Sequence, residues 1–210
     1  MHLAAAWRQR PDFTVLTVDH GLRTGSAAEA QQVGQWSAGL GLQHVLLRWD
    51  AAKPVTALQA KARAARYDLM TNWCDAQGVA WLLTAHTLDD QAETVLMRLA
   101  RTSSIDSLAG IPAVGQWCGV GLFRPLLGLR REALRAALRA RGVPWIDDPS
   151  NTDERFERVR IRQALPLLAT LGVSTERLAG HAAELREIAD GLWRAAGDWV
   201  ALHMRVHPEG

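Results

Sequence analysis

The residues best placed to do chemistry are a histidine and three acids in the middle of the chain. His86 precedes Asp89, Asp90 and Glu93, and all four follow an apolar run that predicts a buried strand. If a helix begins near residue 88, the acids occupy its first turns at spacings of three and four. Carboxylates at a strand end suit Mg²⁺, which takes oxygen ligands and substrate phosphates. Acids at a helix N-terminus are equally expected from the helix dipole alone, so both interpretations stay open.

Two further polar segments are candidates for the same site. Asp19 and His20 follow another predicted strand, although a histidine there also fits a plain turn. Arg63 and Arg66 lie on a predicted helix together with Lys61. A guanidinium group matches pyrophosphate well, but the same three cations also fit a solvated helix face.

Basic charge is concentrated in one part of the chain and is carried there by arginine alone. Residues 124–162 hold ten arginines, no lysine and six acids, whereas the whole chain has a net charge of only +2. Such a segment indicates a phosphate or nucleic-acid partner, with a solvated helix face as the alternative. Within it, Arg158, Arg160 and Arg162 alternate with apolar residues, and phosphate contacts from them would position an RNA without reading its sequence.

Composition argues against several classes of protein. The two cysteines, Cys74 and Cys118, are far apart and form no CxxC pair, which disfavours a thiolate zinc site or an iron–sulfur cluster. No apolar run approaches the roughly 20 residues needed to cross a bilayer, and the N-terminus does not resemble a signal peptide. We therefore expect a cytoplasmic protein without a membrane partner.

These side chains need a scaffold in which strands alternate with helices. Apolar runs predict strands at residues 13–18, 44–49, 79–84 and 119–123. Helical patterns are expected at residues 26–40, with Ser26 as the cap, and at residues 55–76, 88–101 and 130–141. This alternation predicts an α/β fold with a doubly wound parallel sheet, whose ligands bind at the carboxyl ends of the strands.

The pattern changes after Trp145, where a turn-rich stretch leads into leucine-rich helical sequence. We expect an α/β domain over residues 1–155 and a small helical domain over residues 156–210. Residues 1–10 resemble the latter half of a helix, so the α/β domain is expected to begin after its opening strand and phosphate-binding turn. The sheet edge left uncovered would favour self-pairing, and a homodimer is a further expectation.

Five segments together resemble the tRNA(Ile)-lysidine synthase family. They occur in that family's order at residues 18–23, 84–94, 124–127, 145–151 and 156–162. The resemblance extends over about residues 13–170. Its most specific parts are AHTLDDQAET, which begins at Ala85, and WIDDPSN, which begins at Trp145.

The resemblance implies both a fold and a reaction. The fold would be that of the N-type ATP pyrophosphatases, also called PP-loop ATPases or adenine nucleotide alpha hydrolase-like proteins, followed by a truncated helical domain that binds tRNA. The reaction would attach L-lysine to C2 of the wobble cytidine in an isoleucine tRNA with a CAU anticodon. ATP would first adenylate the cytidine, and the lysine ε-amine would then displace AMP. ATP and Mg²⁺ are therefore the implied cofactors.

When the family's site residues are placed on the matching positions of this sequence, the resemblance implies four groups of site residues. The implied catalytic residues are His86, Asp90 and Glu93. The implied cofactor-binding residues are Asp19, His20, Arg63 and Arg66. The implied tRNA-binding residues are Arg158, Arg160 and Arg162. The implied ligands of Mg²⁺ are Asp89 and Asp90.

The chain also departs from the family pattern. The serine-glycine-glycine-x-aspartate-serine loop that holds ATP is absent and would be expected just before Met1. Thr87 stands where a second histidine is usual, Val159 stands where an asparagine is usual, and the usual glycines around Ser103 are missing. From these departures we expect little or no lysidine synthesis by this chain alone.

Four interpretations remain open at this point. The chain is a fragment of a working synthase, or a short protein that binds tRNA without catalysis. It is alternatively another PP-loop enzyme such as a tRNA thiolase, although that class usually relies on paired cysteines. A plain structural or interaction domain is the fourth, and it leaves the ordered motifs unexplained.

Overall fold

The computed structural model describes residues 1–9, 11–22, 25–54, 56 and 58–204, apart from the side chains of residues 149 and 150. These residues form two compact units. The first comprises Met1–Leu82 and Gly115–Phe123, and the second comprises Leu83–Val114 and the chain from Arg124 onward.

Thirteen helices and strands and one short 3-10 helix make up the described chain. In chain order they are α1 (His2–Ala5), β1 (Thr14–Asp19), α2 (Ser26–Gly39), β2 (Gln43–Arg48), α3 (Leu58–Ala76), β3 (Trp81–Leu83), α4 (Leu88–Leu99), α5 (Ile105–Leu108), β4 (Val114–Trp117), β5 (Val120–Phe123), α6 (Arg131–Ala140), a 3-10 helix (Pro149–Thr152), α7 (Glu157–Thr170) and α8 (Thr175–His203).

The strands β1 and β2 form a parallel pair in the first unit. Thr14 lies opposite Gln43 at one end, and Asp19 lies opposite Arg48 at the other. Parallel neighbours need a crossover connection, which α2 provides. The carboxyl ends of both strands therefore lie at the same edge of the sheet, and Asp19 is the last residue of β1.

Helices cover both faces of this parallel pair. On one face, Leu16 and Leu47 pack against the core beneath α3. On the other face, Thr17 Oγ1 lies 2.9 Å from His44 Nε2. Gly34 of α2 faces His44, and a side-chain carbon at position 34 would lie 3.0 Å from the imidazole. Because neighbouring side chains alternate between the faces of a strand, this arrangement gives the doubly wound layering expected from the sequence.

The remaining three strands form a second sheet with β5 between β3 and β4. A two-residue turn joins β4 to β5, with φ of +45° at Cys118 and +83° at Gly119. Positive φ at both turn positions is the geometry that lets adjacent strands form a tight hairpin. The strand expected at residues 119–123 is present as β5, whereas its partner β4 was not expected.

The core of the first unit forms where α3 packs against strands from both sheets. Tyr67, Met70 and Cys74 recur at helical spacing on α3, and they are buried with Leu82 of β3 and Leu122 of β5. Burial of each large apolar side chain of this kind stabilises the fold by about 1.5–3 kcal/mol. This core fixes α3 and the strand ends that surround residues 19 and 20.

The second unit has a separate core made by three helices. Ala92 and Val95 of α4 pack with Leu165 of α7 and with Leu178 and Ala182 of α8. The two alanines are fully buried, and their small side chains let the helices approach closely. The apolar face of α4 is thereby covered, and its other face presents the acids identified in the sequence.

The expected helices are present with small shifts in their limits, and one expected cap is wrong. Gly25, with φ of +103°, is the N-cap of α2, and Ser26 is the first helical residue. The Ser26 hydroxyl instead donates a hydrogen bond to Asp19 Oδ1 at 2.7 Å. The short helix α5 was not expected. The division of the chain into domains at residue 155 stays a prediction.

Candidate active site

The N-terminus of α4 is closed by a reciprocal capping box. Thr87 is the N-cap, and its hydroxyl oxygen accepts from the Asp90 backbone N–H. Asp90 Oδ2 in turn accepts from the Thr87 backbone N–H at 2.8 Å and from the Thr87 hydroxyl at 2.6 Å. A threonine three residues before an acid is the sequence signature of this motif. Thr87 therefore positions Asp90.

Asp89 faces the N-terminus of α6. Its Oδ2 accepts from the Arg131 backbone N–H at 2.7 Å, and its Oδ1 lies 3.2 Å from Arg130 Nε. The N-cap residue of α6, Arg130, makes no side-chain cap of its own. Asp89 thus supplies the acceptor that this helix end would otherwise lack.

Glu93 lies at the centre of the cluster, and its side chain is 0% exposed. Arg162 Nε donates to Glu93 Oε1 at 2.8 Å, and Arg158 Nε lies 3.0 Å from Oε2 as an ion pair. Arg131 Nη2 lies 3.5 Å from Oε1 and 3.2 Å from Asp90 Oδ1. A buried carboxylate is tolerated only when cations and donors surround it, and three arginines do so here.

The acid–arginine cluster is defined as Asp89, Asp90, Glu93, Arg130, Arg131, Arg158 and Arg162. Its four guanidinium groups face three carboxylates, and Arg130 also pairs with Glu176, so the formal charges balance. Burial alone would raise the pKa of Asp90, but hydrogen bonds from Thr87 and the charges of Arg131 and Arg158 outweigh it and hold that pKa below 3.8. Burial opposes ionisation of Arg162, yet Glu93 raises the pKa of that guanidinium above its ordinary value. Asp90 and Arg162 are therefore both charged at neutral pH.

His86 lies just before this capping box, in the segment between β3 and α4. Its Nδ1 is 2.9 Å from Thr84 Oγ1, and the imidazole is partly exposed. Thr84 thereby orients the ring. His86 precedes Asp89 by three residues and Asp90 by four.

A cleft of about 310 Å³ opens beside the cluster, between α7 and the start of α8. Its charged walls come from Asp89, Arg130, Arg162 and Glu176, and Arg130 forms an ion pair with Glu176. Its remaining walls come from Leu165, Pro166, Ala169, Ser174 and Thr175. Charges of both signs around an apolar floor suit a small zwitterion.

The three alternating arginines Arg158, Arg160 and Arg162 do not share one environment. Because they lie on helix α7, Arg158 and Arg162 share the face that meets Glu93. Arg160 points elsewhere, is exposed, and donates to the backbone carbonyls of Glu154 and Arg155. Of the three, only Arg160 presents its guanidinium away from the buried acid.

The first unit carries a second polar cluster at the end of β1. Asp19 Oδ1 accepts from Ser26 Oγ at 2.7 Å and from the Gly21 N–H at 2.9 Å, and these bonds lower the pKa of Asp19. Burial lowers the pKa of His20, and the charge of Arg66 lowers it further. The His20 ring meets Trp49 edge-on at 5.9 Å.

Arg63 and Arg66 differ in their surroundings although both are exposed on α3. The Arg63 guanidinium lies 5.0 Å from the centre of the Tyr67 ring. Arg66 lies close enough to His20 for its positive charge to lower the pKa of the histidine. The structure therefore brings Asp19, His20 and Arg66 together and places Arg63 against an aromatic ring.

Asp89 and Asp90 do not offer a ready set of ligands for Mg²⁺. Their carboxylates are already bound by backbone N–H groups, a hydroxyl and two arginines. Arg130 and Arg131, which contact these carboxylates, would also repel a divalent cation. Among the described residues, no group of three or more histidine, cysteine or acidic side chains is arranged to hold a metal. We therefore derive no step through a metal at these two residues.

Sequence reasoning missed three residues that build this site. Arg130 and Arg131 pair with the acids of α4 although they lie about forty residues away. Gln91 makes two bonds with Ile111, from Nε2 to the carbonyl oxygen at 3.0 Å and from the backbone N–H to Oε1 at 2.6 Å. The available sequence signal for Gln91 was an amide that directly follows two acids at a helix start, whereas no local signal marked the two arginines.

Comparison with known proteins identifies the family of this chain. The family model described as a PP-loop domain matches residues 1–168. The chain belongs to the PP-loop family. The α/β fold class predicted from the sequence is thereby confirmed.

Two relatives of this chain carry the name tRNA(Ile)-lysidine synthase. A tRNA(Ile)-lysidine synthase of Ruegeria pomeroyi is 46% identical over 201 residues, which cover 95% of this chain and 47% of that protein. A tRNA(Ile)-lysidine synthase of Methylobacterium nodulans is 50% identical over 182 residues, covering 87% of this chain and 54% of that protein. The resemblance drawn from the motifs is confirmed, and the chain spans about half the length of these relatives.

A solved structure with low sequence identity has a similar fold. It is the U34-tRNA thiolase NcsA from Methanococcus maripaludis with its [4Fe-4S] cluster. The TM-score is 0.72 with 14% identity, and the match covers 88% of this chain and 66% of that one. At this identity the likeness establishes the fold alone.

None of the described helices is both long enough and apolar enough to cross a bilayer.

Proposed function

We propose that this chain is the catalytic region of a tRNA(Ile)-lysidine synthase, which joins L-lysine to C2 of the wobble cytidine at the expense of ATP. The observation that carries the proposal is its 46% identity over 95% of its length to an enzyme of that name. The proposed tRNA is an isoleucine tRNA with a CAU anticodon. The cytoplasm as location and a homodimer as assembly stay predictions.

The reaction requires two displacements. The cytidine O2 attacks the α-phosphorus of ATP and pyrophosphate leaves. The neutral lysine ε-amine then attacks C2, the C2–O bond breaks, AMP departs with that oxygen, and the amine gives up a proton. Both steps develop negative charge on phosphate oxygens, and fixed positive groups stabilise such charge. The four arginines of the acid–arginine cluster support its assignment to this role.

His86 is our candidate for the group that accepts the proton of the lysine amine. A general base is most effective when its pKa lies near the working pH, as that of an imidazole ordinarily does. Asp90 is a poor base because its pKa is lowered, and Glu93 is enclosed by arginines. We assign Asp90 to orienting substrate, and Glu93 to positioning Arg131, Arg158 and Arg162.

The cleft beside the cluster is our candidate site for L-lysine. Asp89 and Glu176 can hold ammonium groups, and Arg130 and Arg162 can hold the carboxylate. The apolar floor around Leu165 would accept the methylene stem. This assignment uses Asp89 as a substrate contact rather than as a ligand of Mg²⁺.

The polar cluster of the first unit is our candidate for nucleotide contacts. Asp19 ends a parallel strand and His20 follows it, at the edge where α/β sheets bind ligands. Arg66 lies near His20 and has a guanidinium group suited to phosphate. Arg63 is proposed as a further contact, although its present partner is the Tyr67 ring.

Two alternatives are distinguishable from lysidine synthesis. A thiolase such as the structural neighbour holds a [4Fe-4S] cluster, and such clusters need several cysteine ligands. This chain has only Cys74, which is buried, and Cys118, so thiolation is disfavoured. The second alternative, tRNA binding without catalysis, predicts binding with no lysine transfer.

The decisive assay is ATP-dependent transfer of labelled L-lysine to an isoleucine tRNA transcript with a CAU anticodon. We would assay the chain as it stands and a version extended at Met1 by a strand and a serine-glycine-glycine-x-aspartate-serine loop. We expect transfer by the extended version, little by the chain alone, and none to a UAU transcript that lacks the wobble cytidine. Extended protein that binds ATP and tRNA yet transfers no lysine would overturn the proposal.

A further inference from the structure

A row of arginines runs along one face of α6. Arg131, Arg135 and Arg139 are spaced by four residues, so they lie about 6 Å apart along one side of the helix. Residues 130–141 contain five arginines and one acid. The row starts at the acid–arginine cluster, where Arg131 contacts Asp90 and Glu93, and leads away from it.

The far end of the row lies against an indole. The guanidinium carbons of Arg135 and Arg139 are 5.9 and 5.7 Å from the centre of the Trp145 ring. The Trp145 Nε1 donates to Asp147 Oδ2 at 3.0 Å, which fixes the ring orientation. Arginines beside an oriented aromatic ring are the combination that binds single-stranded nucleic acid through phosphate contacts and base stacking.

The ion pairs of these arginines are of a different kind from those around Glu93. Arg135 pairs with Asp147 and Arg139 pairs with Glu132, and in both pairs the acid is about two-thirds exposed. Exposed pairs contribute little to stability, so a phosphate can replace the carboxylate. Arg158 and Arg162 instead neutralise a fully buried Glu93, and their release would leave that charge uncompensated.

We propose that Arg135, Arg139 and Trp145 form a docking surface for the backbone of the tRNA substrate. This inference rests on the proposed function and assigns RNA contact to α6, where the sequence had indicated α7. Because Arg131, at one end of the row, belongs to the acid–arginine cluster, RNA bound along the row approaches that cluster. The two arginines contact phosphates and Trp145 stacks on an unpaired base, so the surface sets position rather than sequence.

The test measures affinity for an unmodified isoleucine tRNA transcript by fluorescence anisotropy over a range of salt concentrations. The variants are the double substitution R135Q/R139Q, the charge-retaining R135K/R139K and the single change Trp145→Ala. The matched control is R155Q/R194Q, which removes the same charge from two exposed arginines outside the surface. Circular dichroism and thermal melting establish that each variant is folded.

We expect R135Q/R139Q to weaken binding at least tenfold and to reduce the slope of log affinity against log salt by about 1 to 2. R135K/R139K should retain most of the affinity, and Trp145→Ala should weaken binding about tenfold. The control should change affinity less than threefold. Unfolding of R135Q/R139Q would leave the lysine pair and Trp145→Ala to decide, since both keep the helix surface charged.

Three results would overturn the inference. The first is binding of tRNA by R135Q/R139Q with wild-type affinity and salt slope. The second is a loss of affinity in the R155Q/R194Q control equal to that in R135Q/R139Q. The third is displacement of bound tRNA by polyglutamate as effective as displacement by unlabelled tRNA. The last result would indicate an acidic protein partner. Each of these leaves lysidine synthesis standing, because the lysine-transfer assay tests the proposed function separately.

Discussion

Arg162 Nε donates to Glu93 Oε1 at 2.8 Å, joining α7 to a carboxylate of α4 that has no exposure to solvent. Sixty-nine residues separate the two along the chain. The pair therefore belongs to tertiary structure and not to any local motif. Glu93 and Arg162, which belong to two of the family motifs, therefore also stabilise the fold, a role that their positions in the sequence did not indicate.

We predict that Glu93→Gln destabilises the protein by about 3 kcal/mol, the lower end of the range for breaking a buried pair, because its arginine partners are about one-third exposed. Urea denaturation followed by circular dichroism measures this change. The matched control is Glu157→Gln, which removes the surface partner of Arg101 and should cost less than about 1 kcal/mol. Equal effects of the two substitutions would contradict the assigned burial of Glu93.

Arg160 and Arg162 should respond differently to the same substitution. Arg162→Gln removes a hydrogen bond to a buried carboxylate, and we expect a loss of about 1.5–3 kcal/mol in the free energy of unfolding. Arg160→Gln removes only bonds to backbone carbonyls at the surface and should change stability by less than about 1 kcal/mol. We further propose that Arg160→Gln weakens tRNA binding severalfold, by loss of one phosphate contact. Loss of stability in both variants would place Arg160 in the core instead.

We predict that a divalent cation does not bind Asp89 and Asp90 when nucleotide is absent. The reason is that arginines and backbone N–H groups already occupy both carboxylates. Titration with Mn²⁺ measures this through paramagnetic broadening of backbone amide resonances, with exposed Asp198 as a comparison site. Broadening at residues 89 and 90 well before residue 198 would restore them as metal ligands.

The titration of His20 provides a test of the first unit. Burial, reinforced by Arg66 and Lys53 and opposed by Asp19, lowers the pKa of His20 below its ordinary value of 6.5. As the pH falls through 6.5 the unfolded chain takes up this proton first, so the contribution of His20 to stability is present above that pH and declines below it. NMR titration of the imidazole measures the pKa directly.

Arg66→Gln should raise the pKa of His20, because one of the charges that opposes protonation is removed. Arg63→Gln is the matched control on the same helix and should leave that pKa nearly unchanged. A His20 pKa at or above 6.5 in the unsubstituted protein would contradict the placement of the ring.

The parts of the fold that were predictable are those encoded by neighbouring residues. The start of α4 at Leu88 and the helix over residues 26–39 follow from apolar spacing and turn residues. The strand β4 escaped prediction because its sequence, VGQW, is short and polar. It is a strand only because the turn at Cys118 and Gly119 folds it back onto β5.

The sequence by itself determined the family, through ordered motifs, and the position of three acids at one helix start. Only the tertiary structure decided what those acids do. It enclosed Glu93 with Arg131, Arg158 and Arg162, occupied Asp89 and Asp90 with donors, and left Arg160 at the surface. The physical reason is that a buried charge is stable only beside opposite charge, and the partners come from helices that meet only when the chain has folded.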